Sequence, residues 1–201
     1  MRQVLVVGED VLCCALGERL AHAILPNWRL ARDSINTRGI TRLAPSLSRY
    51  LEQARHVQPV ICIADTDGRC PVDLLAQWLG SRKDARFVFR LAVTEAESWL
   101  LADGETLAEF LAVPVDKIPV RPDELADPKR EVLALARRSK RRPIRTEVVS
   151  SIDSNKPGNG YNLHLVEYIR MHWRAQQAAK RSPSLARAIR SIRTLEDVAQ
   201  F

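Results

Sequence analysis

The sequence predicts an α/β protein with a doubly wound, mainly parallel sheet of four strands or slightly more, followed by a helical C-terminal extension. Three observations predict it. Between Gln3 and Asp103, apolar runs of strand length alternate with segments of helical apolar spacing. The run "PVICIA" is apolar throughout, as expected of a parallel strand covered on both faces. After Asp103 the strand pattern stops and helical spacing alone continues.

The elements follow in order. "QVLVVGED" reads as a strand from Gln3 to Val7 that ends at Gly8, and Asp10 is placed to cap the helix "VLCCALGERLAHAIL". "WRLARDSI" reads as a second strand. "TRLAPSLSRYLEQARH" reads as a helix starting near Pro45, with Leu47 and Leu51 on one face. "PVICIA" is the third strand, and "PVDLLAQWLGSRK" a helix with Pro71 in its first turn. "RFVFRLAV" is the fourth strand. In "TEAESWLLAD", Thr94 and Glu97 have the spacing of a capping box, in which each side chain satisfies the other's free backbone N–H.

The second half is helical. "GETLAEFLAV" is a short helix, followed by the Pro-rich connection "PVDKIPVRPDELADP". "DPKREVLALARRSKRR" has Asp127 as cap and Pro128 at the first helical position. "SSIDSNKPGNGYN" has loop chemistry, and "LHLVEYIRMHW" is a further amphipathic helix. "SPSLARAIRSI" is the last helix, capped by Ser182. The expected organisation is an α/β domain over residues 1–103, with residues 104–201 packed on it as one unit.

Composition narrows the class. With 201 residues, 46% of them hydrophobic, the chain supports a real core. No apolar run approaches the ~18–20 residues a membrane-spanning helix needs, and the N-terminus lacks the long apolar region of a signal peptide. A soluble, cytoplasmic protein is expected. Cys13, Cys14, Cys62 and Cys70 match no zinc spacing and read as buried free thiols, in keeping with a reducing compartment. Trp99, Trp173 and Tyr168 have apolar neighbours at helical spacing and read as core. "NKPGNGY" lacks the Gly-Lys-Ser/Thr ending of a phosphate loop, and no GxSxG occurs.

Charge is concentrated. The chain carries +7, and the segment from Lys129 to Arg145 holds eight basic residues against one acid, Glu131, so it nets +7 alone. The rest is close to neutral. Such a local positive field suits a polyanion, and Arg137, Arg138, Lys140, Arg141, Arg142 and Arg145 are the expected nucleic-acid contacts.

Acids mark the other candidate site. In wound parallel sheets, ligands sit beyond the carboxyl ends of the strands. Glu9, Asp65, Asp67 and Glu95 all fall at that edge. If the first and third strands are neighbours, Glu9, Asp65 and Asp67 converge. Hard oxygen ligands at that density suit Mg²⁺ or Mn²⁺. "DTDG" is also good turn chemistry, with Gly68 suited to positive φ.

A Glu after strand one and Asp-x-Asp after strand three resemble the Toprim domain of topoisomerases, primases and OLD-family nucleases. "VVGED", "IADTDG" and "RLAVTEAESWLLAD…DPKREVLALARRS…GYN…SPSLARAIR" also resemble a family of small Toprim-like proteins, over nearly the whole chain from Val4 to about Ile192. The resemblance implies a metal-dependent nuclease acting on DNA or RNA, with an ATPase partner in a mobile-element or phage-defence setting. It implies Glu9 as general acid/base or metal ligand and Asp65 and Asp67 as metal ligands. Glu95 and Glu97 are implied ligands of a second ion, and Lys129 a positive charge on the scissile phosphate. Asp10, after Glu9, departs from the small residue common there. Two other readings stand beside this one. One is a non-catalytic Toprim-like subunit that binds nucleic acid or regulates. The other is a receiver-like phospho-acceptor domain, in which Glu9, Asp10, Asp65 and Thr94 occupy comparable places. The basic patch and helical extension also permit homo-oligomers.

Overall fold

A computed structural model describes residues 2–198, with the side chain of residue 198 outside that description. The last three residues of the predicted extension lie outside the described residues. The strands are β1 (Arg2–Gly8), β2 (Trp28–Leu30), β3 (Ile35–Asn36), β4 (Val60–Asp65) and β5 (Phe87–Ala92). The helices are α1 (Val11–Ile24), α2 (Ile40–His56), α3 (Pro71–Leu79), α4 (Ala96–Ala102), α5 (Gly104–Leu111), α6 (Pro128–Arg137), α7 (Tyr161–Met171), α8 (Ala175–Ala178) and α9 (Pro183–Val198).

The five strands form one parallel sheet in the order β2–β1–β4–β5, with β3 also paired to β1. The predicted second strand is broken in two. Trp28–Leu30 pairs with the start of β1 and Ile35–Asn36 with its end, while Arg32 and Asp33 between them stay in solvent. The predicted third strand, β4, lies beside β1 in the register Leu5↔Val60 to Gly8↔Ile63. This pairing brings the two acidic strand ends together.

Alternation along the strands divides the core between two faces. Val4, Val6, Ile61, Ile63 and Val88 face α1 and the C-terminal helices. Leu5, Val7, Val60, Cys62, Phe89 and Leu91 face α2 and α3, where Leu43, Leu47, Tyr50 and Leu74 are buried. α2 starts at Ile40, five residues before the predicted Pro45 start, because buried Leu43 anchors its first turn. Pro45 is therefore inside the helix.

The extension shares the first of these cores. α7 packs on α1, α9 on β5 and α1, and α6 on α4. Trp99 and Trp173 are fully buried. The Trp99 indole donates to Ser184 Oγ at 2.8 Å, and the Trp173 indole to the Trp99 carbonyl at 2.8 Å. Asp103 is buried against Arg174, whose Nη2 and Nε donate to its two oxygens at 2.7 and 3.1 Å. This pair ties the end of α4 to the start of α8. Cys13, Cys14 and Cys62 are buried free thiols; Cys70, expected to be buried, is exposed just before α3.

Candidate functional site

Backbone rules place the acids. Gly8 ends β1 beneath the first turn of α1; a Cβ there would lie 2.5 Å from Cys14 N. Only glycine allows this approach. The next residue, Glu9, continues the ladder by donating its N–H to Ile63 O at 3.0 Å. Asp10 caps α1, accepting from Cys13 N at 2.8 Å.

Across the strand pair, the Glu9 carboxylate accepts the Asp65 N–H at 3.1 Å. Asp65 is the last residue of β4 and is 9% exposed. The Cys13 thiol donates to its Oδ1 at 3.7 Å. Burial pushes the Asp65 carboxyl well above its ordinary range, Glu97, Asp10 and Glu9 add to the rise, and Lys129 opposes it. Glu9 is raised as well, first by burial and then by Asp67 and Asp10, against the lowering effect of the Asp65 and Ile40 N–H groups. These carboxylates share one electrostatic environment.

Asp67 sits in a tight turn. Arg69 N donates to Thr66 O at 3.0 Å, and both central residues, Asp67 and Gly68, have positive φ of 48° and 73°. Two N–H groups, those of Thr66 and Asp67, donate to Thr94 O and lock this turn to the end of β5. The turn chemistry of "DTDG" is thus realised. Its side chain is exposed, 3.9 Å from Arg69 Nη2.

Glu95 and Glu97 flank the start of α4, where the structure overturns the predicted capping box. Thr94 Oγ1 donates instead to Leu125 O at 3.0 Å, and Glu95 is the residue that precedes the first helical turn. Glu97, released from capping, is 1% exposed. Its Oε1 accepts from Tyr161 Oη at 2.7 Å and lies 3.7 Å from Lys129 Nζ. Lys129 also reaches Glu95, by Nζ at 3.2 Å and by its backbone N–H at 2.9 Å. Burial alone would lower the Lys129 ammonium, but Glu97 and Glu95 outweigh it and hold it above its ordinary range. Glu97 is raised by burial, against Lys129 and Tyr161.

A cleft of about 380 Å³ opens beside this group, lined by Asp67, Thr94, Glu95, Lys129, Arg130 and Asn155, among others. The basic run lies past α6. The predicted helix ends at Arg137, and the following residues form a bend and one turn of π-helix, Ile144–Val148. Arg137, Arg138, Lys140, Arg141, Arg142 and Arg145 are all exposed. None of them has a carboxylate within 4.0 Å among the described residues. Arg137 donates to Ser154 Oγ at 3.2 Å, so the strip meets the loop that carries Asn155 into the cleft.

Glu9 and Asp65 are therefore adjacent, with Asp67 near Glu9, while Glu95 and Glu97 are joined to Lys129. Among the described residues, no three His, Cys, Asp or Glu side chains form a ready-made metal cage. Sequence reasoning missed Tyr161 and Cys13, the hydrogen-bond partners of Glu97 and Asp65. The only signal for Tyr161 was its place at the end of a Gly-rich loop, which names no partner.

The fold and site define an α/β protein with an acidic group at the carboxyl edge of a parallel sheet and an exposed basic strip beyond it. Compared with family models, curated proteins and solved structures, the chain matches none.

Proposed function

We propose that the chain is a Toprim-like, Mg²⁺- or Mn²⁺-dependent phosphodiesterase that cleaves DNA or RNA. The observation that carries the reading is the 3.1 Å hydrogen bond from the Asp65 N–H to the Glu9 carboxylate, at the ends of two adjacent parallel strands. The donor set fits the ion. Mg²⁺ keeps several waters and is held by one or two carboxylates together with substrate phosphate, so a closed protein cage is not required. Glu9 and Asp65 supply two carboxylates, and Asp67 is close enough to raise Glu9. The ion supplies polarisation of a phosphoryl oxygen and activation of a water.

The chain's own residues divide the remaining tasks. Lys129 keeps a positive charge at the cleft wall and holds Glu95 and Glu97 in place. The basic strip from Arg137 to Arg145 binds the nucleic-acid backbone without reading bases. In the same reading the protein is the effector of a defence system that works with an ATPase partner.

A second reading, a Toprim-like subunit that binds nucleic acid without cutting it, is favoured by one observation. Lys129 already neutralises Glu95 and Glu97, two of the five acids assigned to metal. The test is cleavage of end-labelled single- and double-stranded DNA and RNA with Mg²⁺ or Mn²⁺, by wild type and Asp65→Asn. Metal-dependent products lost in Asp65→Asn support the nuclease. Binding without products in either protein supports the second reading.

A further inference from the structure

β5 is an edge strand, with β4 on one side and no strand paired on the other among the described residues. Val60 N donates to Arg86 O at 2.9 Å and Thr66 N to Ala92 O at 3.1 Å, so the even-numbered residues of β5 turn their backbone groups toward β4. Phe89 and Leu91 turn theirs outward. Among the described residues neither of these amides has an acceptor. Natural edges are normally blunted by proline, a bulge or a covering segment; "FVFRLA" contains no proline and its pairing to β4 is unbroken, while α9 packs against it and leaves Phe89 and Leu91 4% and 7% exposed.

A groove of about 470 Å³ runs along this edge between α3 and α9. Leu75, Leu79 and Phe87 give it an apolar wall; Arg90, Ser191 and Thr194 give it a polar one. Arg90 is the unusual member. Its Nη2 donates to Ser191 Oγ, while its Nε is buried with no partner among the described residues. The charges that act on it, Arg187 and Arg190, are both positive, and with burial they push its guanidinium below its ordinary value. The groove's own acid, Asp84, is occupied by Arg55 at 3.4 Å and by the Arg86 N–H at 2.8 Å. A half-buried guanidinium with its Nε out of solvent and no carboxylate beside it is costly unless a binding partner supplies one.

We infer that the β5 edge docks an extended acidic segment of a partner protein. The segment pairs its backbone with Phe89 and Leu91, and a Glu or Asp side chain enters the groove to meet Arg90. This is strand addition, in which main-chain bonds give affinity and alternate side-chain pockets give specificity. A second copy of the chain is the poorer occupant, because edge-to-edge pairing would bring two sets of Arg90, Arg187 and Arg190 together.

The experiment follows backbone amide exchange by NMR while titrating a short capped peptide of alternating Val and Glu, with a Val–Lys peptide as control. The Phe89 and Leu91 amides are expected to exchange at least about tenfold more slowly with the Val–Glu peptide than without it. Arg90→Gln is expected to weaken binding about tenfold to a hundredfold, as loss of a charge-assisted hydrogen bond does. Arg190→Glu, an exposed change, is expected to weaken it as well and serves should Arg90→Gln not fold. The inference is overturned if the Val–Glu peptide leaves those amides unchanged, or if the Val–Lys peptide binds equally well. Protection that rises with protein concentration alone would overturn the acidic partner in favour of a second copy.

Discussion

The carboxylate of Glu9 accepts the backbone N–H of Asp65 at 3.1 Å, across the junction of two parallel strands. The bond positions one acid by the main chain of the other. Both side chains then lie at the same sheet edge, and Asp65 is buried there among Glu9, Asp10 and Glu97. Without a cation this is an electrostatic cost built into the fold.

The cost makes a stability prediction. In EDTA, Asp65→Asn removes one of the clustered charges while keeping the shape of the side chain. Stability should rise by about 1 kcal/mol, the ordinary size of a point substitution's effect, seen as an increase in Tm of about 2–4 °C for a chain of this size. A thermal melt of both proteins checks it. A fall in Tm would mean that Asp65 is structurally satisfied and that its neighbours do not strain it.

Tyr161 and Glu97 meet at 2.7 Å in a buried site. Tyr161→Phe leaves Glu97 one donor short and should destabilise the fold by about 2 kcal/mol, as expected for a hydrogen bond to a charged group. In a double-mutant cycle with Glu97→Ala, the two changes should couple by about 0.5–3 kcal/mol. Urea denaturation provides the measurement, and strict additivity would refute the pairing.

The basic strip should act through charge alone. Arg138→Gln, Arg141→Gln and Arg142→Gln together should leave stability within about 0.5 kcal/mol, because all three side chains are exposed. Binding to double-stranded DNA, measured across a salt series, should weaken, and its log–log slope should fall by about 3 if each residue meets one phosphate. An unchanged slope would place the nucleic-acid contact elsewhere.

Acid should loosen the joint between α4 and α8. Burial raises the Asp103 carboxyl, but hydrogen bonds from Arg174 and Thr106 outweigh it and hold it below its ordinary value. A carboxyl depressed on folding stabilises above its unfolded pKa of about 3.9, and that stability is lost as pH falls through the folded pKa. Asp103→Asn should therefore destabilise the protein by about 3 kcal/mol at pH 7, the low end for a broken buried pair because Arg174 is partly exposed. The gap between mutant and wild type should close in acid. Chemical denaturation from pH 7 to pH 3 tests this, and a gap independent of pH would remove the ion pair as its cause.

Local chemistry made some of these features legible in the sequence. Asp127 before Pro128 marks the start of α6, and its side chain does accept from Arg130 N at 2.8 Å. Ser182 likewise accepts from Leu185 N at 3.1 Å. The unbroken apolar run of β4 announces a strand covered on both faces and leads directly to Asp65. The Thr94–Glu97 spacing misled because it is a local signal overridden by tertiary contacts. Leu125 takes the Thr94 hydroxyl, and Tyr161, 64 residues from Glu97, takes the Glu97 carboxylate. No window of neighbouring residues contains that information. Pro45 misled for a related reason: burial of Leu43 extends α2 ahead of a residue that normally marks a helix start. The resemblance to Toprim proteins pointed to the acids, but Lys129 bridging Glu95 and Glu97 is visible only once α6 is folded against α4.

If Glu9 and Asp65 together hold a divalent ion, calorimetric titration of Mn²⁺ will register it. Wild type should bind the ion, and Glu9→Gln/Asp65→Asn, with unchanged circular dichroism, should not. No binding by wild type, or equal binding by both proteins, would mean that these two carboxylates are not the ion's ligands.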